Sequence, residues 1–192
     1  MDIETIKKHI DDVLTETNFT NLGEKYIGKV RDVYSKKDKL ILISTDRHSS
    51  FDRIIAHIPF KGQVLTQISY WWFEQTKDII QNHVLDMPDP NVIIAKKCKV
   101  IPIEMVVRGY ITGSTNTSLW TLYQKGEWDF GDFTLPYSLK KNQKLPQAVV
   151  TPTTKSDEHD RPISGKQAVA EGILDQTTWD KVADTSLKLF AR

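Results

Sequence analysis

The stretch Tyr26-Ile27-Gly28-Lys29-Val30-Arg31-Asp32-Val33-Tyr34, then Ser35-Lys36-Lys37-Asp38, then Lys39-Leu40-Ile41-Leu42-Ile43-Ser44-Thr45 decides the fold class. Two runs rich in β-branched and aromatic residues flank a polar turn, which predicts an antiparallel hairpin. Before it, Ile3, Ile6, Ile10, Val13 and Leu14 fall on one stripe and predict an amphipathic helix over residues 3–14, followed by a break at Gly23. After it, Leu65, Ile68, Trp72, Thr76 and Ile79 recur at spacings of three and four and predict a helix over 63–82. Trp71-Trp72 lies inside that pattern, so the pair reads as core packing rather than a cofactor platform.

The proline cluster Met87-Pro88-Asp89-Pro90 predicts a loop. Strands are expected over 92–100 and 103–107, with Pro102 as a break or an edge between them. A helix is expected over 114–124, stopped by Gly126. Residues 127–165 show little periodicity and read as long loops. Residues 166–171 suit a short helix, and 177–192 a longer one, with Thr177 and Asp180 as a capping box and Trp179, Val182, Leu187 and Phe190 facing a core. Strands and helices do not alternate regularly, so the class is α+β. A soft boundary is expected near residues 100–108, which divides the chain into parts over 1–102 and 103–192.

Composition bounds the function. The 192 residues carry 39% hydrophobic and 27% charged side chains, an ordinary globular balance. With 26 basic against 25 acidic residues, a net charge of +1 argues against a general nucleic-acid binder. A single cysteine, Cys98, permits no internal disulfide. The start is too polar for a signal peptide, and no apolar run approaches the roughly 20 residues that span a bilayer. A cytoplasmic protein without membrane partners is expected; a homo-oligomer is compatible.

Four stretches concentrate chemistry. In Gly28-Lys29-Val30-Arg31-Asp32, a glycine lets a phosphate approach the backbone, and Lys29 and Arg31 at alternate strand positions would share a face. A solvated strand face is the bland alternative. Ser44-Thr45-Asp46-Arg47-His48-Ser49-Ser50-Phe51-Asp52 places carboxylates, a guanidinium and hydroxyls directly after an apolar strand, where polar groups enter clefts; a solvated turn would look the same. Glu104-Met105-Val106-Val107-Arg108-Gly109-Tyr110-Ile111-Thr112-Gly113-Ser114 ends a strand in Arg108 and turns through glycines toward a helix start near Ser114. A helix N-terminus with an arginine fork suits a phosphate or carboxylate. A tight turn with a capping serine is the alternative there. The stretch from Thr151-Pro152 to Ser164 holds Lys155 and His159-Asp160; on composition alone it is a surface loop. None of the five histidines pairs at zinc-ligand spacing.

In order and spacing, these stretches together resemble the SAICAR synthetase family in its longer form, from about residue 23 onward, with Val107 to Ser114 the most specific block. The resemblance implies an α+β fold whose N-terminal part is like the ATP lobe of kinase-like enzymes. It also implies a reaction. ATP phosphorylates the carboxylate of carboxyaminoimidazole ribonucleotide, and the amine of L-aspartate displaces phosphate to form an amide. By resemblance, Gly28, Lys29 and Arg31 would meet the ATP phosphates and Glu104 the ribose. Arg108, Gly113 and Ser114 would hold the imidazole nucleotide, and Asp46, His159 and Asp160 would lie near the reacting groups.

His48-Ser49-Ser50 departs from the Ile-Ser-Ala of the family. Family members also continue into acidic segments that resemble magnesium ligands, so Mg²⁺ ligands are expected beyond Arg192 and the 192 residues alone are expected not to catalyse ligation. Two other classes compete. One is a non-catalytic nucleotide-binding fragment. The other is a kinase-like phosphotransferase, which lacks a His-Arg-Asp loop or Asp-Phe-Gly site here.

Overall fold

The computed structural model of the chain describes residues 2–50, 53–155 and 161–192. The class is α+β. Two compact units form, Met1–Lys99 and Val100–Arg192.

The first unit opens with α1 (Ile3–Lys8), capped by Asp2, whose carboxylate accepts the Thr5 amide at 2.8 Å. Next come β1 (Glu24–Ile27), β2 (Arg31–Lys36), β3 (Lys39–Ser44), β4 (Arg47–Ser50), β5 (Arg53–His57), α2 (Lys61–Gln75), β6 (Val84–Asp89) and β7 (Val92–Lys96). Five strands form one antiparallel sheet in the order β1-β2-β3-β7-β6, and β4 pairs separately with β5. The expected hairpin is β2–β3, with Arg31 opposite Ser44 and Lys36 opposite Lys39. The run 26–34 is not one strand, however. It breaks at 28–30, and the halves pair with each other, Ile27 opposite Asp32.

Burial alternates along β2: Asp32 and Tyr34 are fully buried, while Arg31, Val33 and Ser35 lie on the other face. A carboxylate at such a position needs partners. Asp32 Oδ1 accepts from Arg47 at 2.9 Å, and Oδ2 accepts from the Thr17 amide at 2.7 Å and the Thr17 hydroxyl at 2.9 Å. Lys25 Nζ lies 3.4 Å from Oδ2. The Tyr34 hydroxyl joins the cluster, 3.1 Å from Thr17 Oγ1, and accepts the Phe19 amide at 3.0 Å. The segment over 15–19 is thereby fastened beneath the sheet.

Several expectations are corrected. The first helix stops at Lys8 instead of continuing to 14, because Leu14 is drawn into an extended path. Its amide donates to Asp46 Oδ2 at 2.8 Å and its carbonyl accepts the Asp46 amide, also at 2.8 Å. The second helix ends at Gln75, not 82. Thr76 Oγ1 donates back to the Trp72 carbonyl, and Asn82 Nδ2 donates to the Phe73 carbonyl, closing the C-terminus. Trp71 and Trp72 are not core: they are 53% and 46% exposed and meet edge to face, 4.8 Å apart. The cluster at 87–90 does not force a loop throughout, since Met87, Pro88 and Asp89 belong to β6. That strand is an edge with register shifts, the setting in which a residue without an amide donor is tolerated.

The second unit contains β8 (Ile103–Glu104), β9 (Val107–Ile111), α3 (Leu119–Gln124), β10 (Gln143–Val150), β11 (Thr153–Thr154), α4 (Gly165–Ala170) and α5 (Gln176–Ala191). The expected strand over 103–107 is thus two short strands, each with its own partner: β8 with β11 and β9 with β10. Residues 127–165 are not all loop, because β10 runs for eight residues across a register shift between Lys144 and Val149. Ile111, Leu119, Tyr123, Leu135, Leu139, Leu145 and Val149 form the core, with Trp120, Phe130 and Phe133 packed on it.

The third helix begins at Leu119 under a Ser118 cap, not at Ser114. The last helix is capped by Asp175 through the Thr178 amide at 2.8 Å, not by Thr177 and Asp180. Trp179 is buried and Phe190 is 53% exposed. The capping box belongs instead to α4, between Ser164 and Gln167. No helix of the described residues is long and apolar enough to cross a membrane.

Asp32→Asn leaves the Arg47 guanidinium buried beside a neutral amide and is expected to cost about 3–5 kcal/mol by urea denaturation near neutral pH. Burial alone would push the Asp32 carboxyl up. The Thr17 amide, the Arg47 guanidinium and the Thr17 hydroxyl outweigh it and hold the carboxyl below the ordinary carboxylate range. A depressed folded value means stability that is complete above the unfolded value, about pH 4, and is lost as pH falls below it. The gap between wild type and Asp32→Asn is therefore expected to be full at pH 6 and to shrink below pH 4.

Candidate functional site

The turn over 28–30 is the most organised of the four chemistry-bearing stretches. Gly28 donates its amide to the Arg31 carbonyl at 2.8 Å, closing the β1–β2 connection. The Gly28 carbonyl accepts from Arg47 Nη2 at 3.0 Å, and the Lys29 carbonyl from Arg47 Nε at 3.3 Å. The Val30 carbonyl accepts from both the Thr45 amide at 3.1 Å and the Thr45 hydroxyl at 2.9 Å. A Cβ on Gly28 would stand 3.1 Å from the Arg31 carbonyl oxygen, so the turn closes too tightly for an easy side chain there.

Lys29 and Arg31 do not alternate on one strand, as expected from spacing. Lys29 sits exposed in the turn, and Arg31 is the first residue of β2. Arg31 lines a cavity of about 180 Å³ with Ser44, Thr45, Lys61, Thr66 and His83. His83 is held below its ordinary value first by burial and then by the Arg31 charge, so the imidazole is neutral at pH 7.

Asp46 is 4% exposed, and both its oxygens hold backbone amides: Oδ2 that of Leu14 and Oδ1 that of Gly62 at 2.9 Å. Gly62 is the second residue of α2, whose own N-cap, Phe60, has a left-handed backbone and makes no side-chain cap. Asp46 supplies that cap from a distance, with its charge at the positive end of the helix dipole. Gly62 admits this close approach, since a Cβ would meet the Ser44 carbonyl oxygen at 2.5 Å. Asp46 also borders a cavity of about 540 Å³ with His9, Asp12, Phe60 and Gln63, which includes none of Gly28, Lys29 and Arg31.

In the second unit the third and fourth stretches come together. Arg108 on β9 donates from Nε to Thr151 Oγ1 at 2.9 Å, and Thr151 donates its amide to the Val106 carbonyl at 2.8 Å. Glu104 on β8 pairs with Lys155 at 2.7 Å, just past β11. Gly113 has φ +111°, and a Cβ there would lie 2.3 Å from Ser118 Cβ. Ser114 is exposed ahead of the turn that delivers Ser118 to the cap. The anion-binding helix start expected at Ser114 is therefore absent from that position; Arg108 and Gly113 retain their places on β9 and in the turn. His159 and Asp160 lie outside the described residues.

Among the described residues, no three His, Cys, Asp or Glu side chains gather where they could hold a metal ion. The side chains that spacing missed are Arg47 and Asp32, which organise the 28–30 turn from below, and Thr151, which aims Arg108. One signal was available. Asp32 shares its parity with Val30 and Tyr34, and a lone carboxylate in an apolar register marks a buried, paired charge.

The SAICAR synthetase family model matches residues 24–192. A phosphoribosylaminoimidazole-succinocarboxamide synthase of Legionella pneumophila (strain Paris) is 58% identical over 92% of this chain and 56% of its own length. A solved SAICAR synthase of Saccharomyces cerevisiae, complexed with SAICAR, superposes with a TM-score of 0.78 at 30% identity, covering 93% of this chain and 64% of that one. A type-2 SAICAR synthetase in complex with ADP superposes with a TM-score of 0.67 at 26% identity, covering 88% and 66%. The chain spans about half the length of the curated relatives it matches.

Asp46→Asn would turn an amide donor toward one of the two backbone donors. It is expected to lower stability by about 1–3 kcal/mol in urea denaturation. Unchanged stability with lost turnover would instead support Asp46 as one of the reacting groups.

Proposed function

Because this chain belongs to the SAICAR synthetase family, we propose that it carries nucleotide- and substrate-contacting residues of an ATP-dependent ligase of purine biosynthesis. The family match over 24–192 carries the reading, since it takes in all four chemistry-bearing stretches in one frame. A carboxylate is a poor acyl donor, and phosphorylation gives it a leaving group. An oxygen of the carboxylate of carboxyaminoimidazole ribonucleotide attacks the γ-phosphorus of ATP, and ADP leaves. The L-aspartate amine then attacks the acyl carbon, loses a proton, and inorganic phosphate leaves with the former carboxylate oxygen.

The part over 1–102 takes the nucleotide. Lys29 and Arg31 bring positive charge to the phosphates, where stabilising the transferring group is the main demand. A family neighbour solved with ADP supports nucleotide binding. The part over 103–192 takes the imidazole nucleotide. Arg108, aimed by Thr151, offers a planar fork to an anion, and Gly113 and Ser114 follow it in the same stretch. Glu104, paired with Lys155, is assigned to the ribose of ATP by family pattern. His159 and Asp160 are assigned near the reacting groups by family pattern. The family also implies Mg²⁺. Among the described residues, no three His, Cys, Asp or Glu side chains gather as a ready-made set for it. A second reading is that the 192 residues bind nucleotide without turnover of their own.

An assay of the purified 192-residue chain with ATP, Mg²⁺, L-aspartate and carboxyaminoimidazole ribonucleotide separates the two readings. The ligase reading is tested further in the whole protein. Lys29→Ala and Arg31→Ala are each expected to weaken ADP binding by about 1.5–3 kcal/mol in calorimetry; unchanged binding in both removes the phosphate assignment. Arg108→Lys keeps the charge and loses the fork. It is expected to raise KM for the imidazole nucleotide while leaving KM for ATP nearly unchanged, and equal damage to both would make Arg108 a residue of the fold.

A further inference from the structure

The Arg47 guanidinium spends its donors in an unusual way for a buried arginine. Only one goes to its counter-ion, Asp32 Oδ1 at 2.9 Å. Three more go to main-chain carbonyls: Thr15 at 2.6 Å, Gly28 at 3.0 Å and Lys29 at 3.3 Å. The last two are successive peptides of the 28–30 turn, and the next carbonyl, Val30, is held by Thr45. All three carbonyls of the turn are therefore tied back to residues 45–47.

A trans peptide points its N–H opposite to its C=O. With the Gly28 and Lys29 carbonyls held against the guanidinium, the amides of Lys29 and Val30 point away from it. Orientation is then set by one side chain that the net chemistry does not otherwise need. Lysine could replace the charge but not the geometry. Its single ammonium cannot reach Asp32 and two separate carbonyls at once, whereas the planar guanidinium spreads its donors across them.

We infer that Arg47 is the positioning residue of this turn: neutralised by Asp32, it holds the Gly28 and Lys29 carbonyls inward and so directs the Lys29 and Val30 amides toward the phosphates of a bound nucleotide. The inference rests on the reading above, that the turn at Gly28, Lys29 and Arg31 meets those phosphates. It adds that the turn's backbone, and not only its cations, is part of the contact. Arg47 acts through the turn and does not itself touch the nucleotide. A purely structural Arg47 would matter to stability alone.

The experiment compares four substitutions in the whole protein, Arg47→Lys, Tyr34→Phe, Lys29→Ala and Arg31→Ala, with ADP affinity by calorimetry and thermal midpoint as separate readouts. Arg47→Lys is expected to weaken ADP binding by about tenfold or more, with binding of the imidazole nucleotide unchanged. Tyr34→Phe disturbs the same buried cluster without touching the turn, and is expected to lower the midpoint while keeping ADP affinity within about twofold. Lys29→Ala reports on the underlying reading. If Lys29→Ala weakens ADP binding and Arg47→Lys does not, the positioning role alone is overturned. Loss of affinity in Tyr34→Phe equal to that in Arg47→Lys also overturns it, because destabilisation would then explain both. If Lys29→Ala and Arg31→Ala leave ADP binding intact, the reading of the turn falls and the inference with it. Should Arg47→Lys not fold, amide hydrogen exchange in the unaltered protein decides. Slowed exchange at Lys29 and Val30 on adding ADP supports the inference, and exchange unchanged at saturating ADP overturns it.

Discussion

Three segments of the N-terminal unit meet at the Arg47–Asp32 pair: the chain over 15–19, the turn over 28–30 and the start of β4. Neither charge has water to fall back on, since Asp32 is fully buried and Arg47 is 5% exposed. Removing two such ions from water costs several kcal/mol each, and their mutual attraction offsets this only when the remaining lone pairs and protons are also satisfied. Here most of them are. Thr17 fills one carboxylate oxygen twice, and three carbonyls take three of the four guanidinium donors that Asp32 leaves. The requirement works in both directions: the pair needs those backbone segments in place, and the Thr15, Gly28 and Lys29 carbonyls each take a donor from Arg47. Lys25, which donates to the Thr17 carbonyl and pairs with Glu16 at 2.8 Å, closes the cluster at its solvent side.

Asp46 extends the same logic one residue away. Three successive residues, Thr45, Asp46 and Arg47, are buried and polar, and each holds backbone from elsewhere: Thr45 the Val30 carbonyl, Asp46 the Leu14 and Gly62 amides, Arg47 the turn. A tripeptide at the exit of β3 thus fastens the N-terminal segment, the β1–β2 turn and the start of α2. Strand ends are suited to this, because the chain there is rigidly placed but no longer committed to ladder hydrogen bonds.

What could be read from the residues alone was whatever depends on local period and on motif. The β2–β3 hairpin follows from β-branched runs around Ser35-Lys36-Lys37-Asp38. The second and last helices follow from apolar spacing, although the C-terminal end of the second and the cap of the last did not. The stretches at 28–32, 44–52, 104–114 and 151–164 stood out for their density of polar and charged side chains, and the family match covers all of them. What failed depends on contacts distant in sequence. Nothing within 3–14 announces that Leu14 will be bonded by Asp46. Nothing within 114–118 announces that Gly113 takes a left-handed turn and hands the cap to Ser118. The eight residues of β10 include Pro146 and polar side chains, and they read as loop until β9 lies beside them. Lys29 and Arg31 seemed to share a face because a bend at 28–30 leaves no trace in alternation.

The placement of Pro88 carries one more implication. An antiparallel sheet of five strands leaves two borders with unpaired main-chain groups, and such borders can recruit a strand from another molecule. At one border, β6 carries a proline that offers no donor and two breaks in register that prevent a straight ladder. At the other, β1 is only four residues long and begins Glu24-Lys25, a charged pair that a docking strand would have to accommodate. Both margins of the sheet are thus poor templates for growth. A protein whose α2 exposes Val64, Leu65, Ile68, Trp71 and Trp72 nearby in sequence has reason to keep its strand margins inhospitable, because sticky side chains and an open ladder on one molecule together favour polymerisation into fibres.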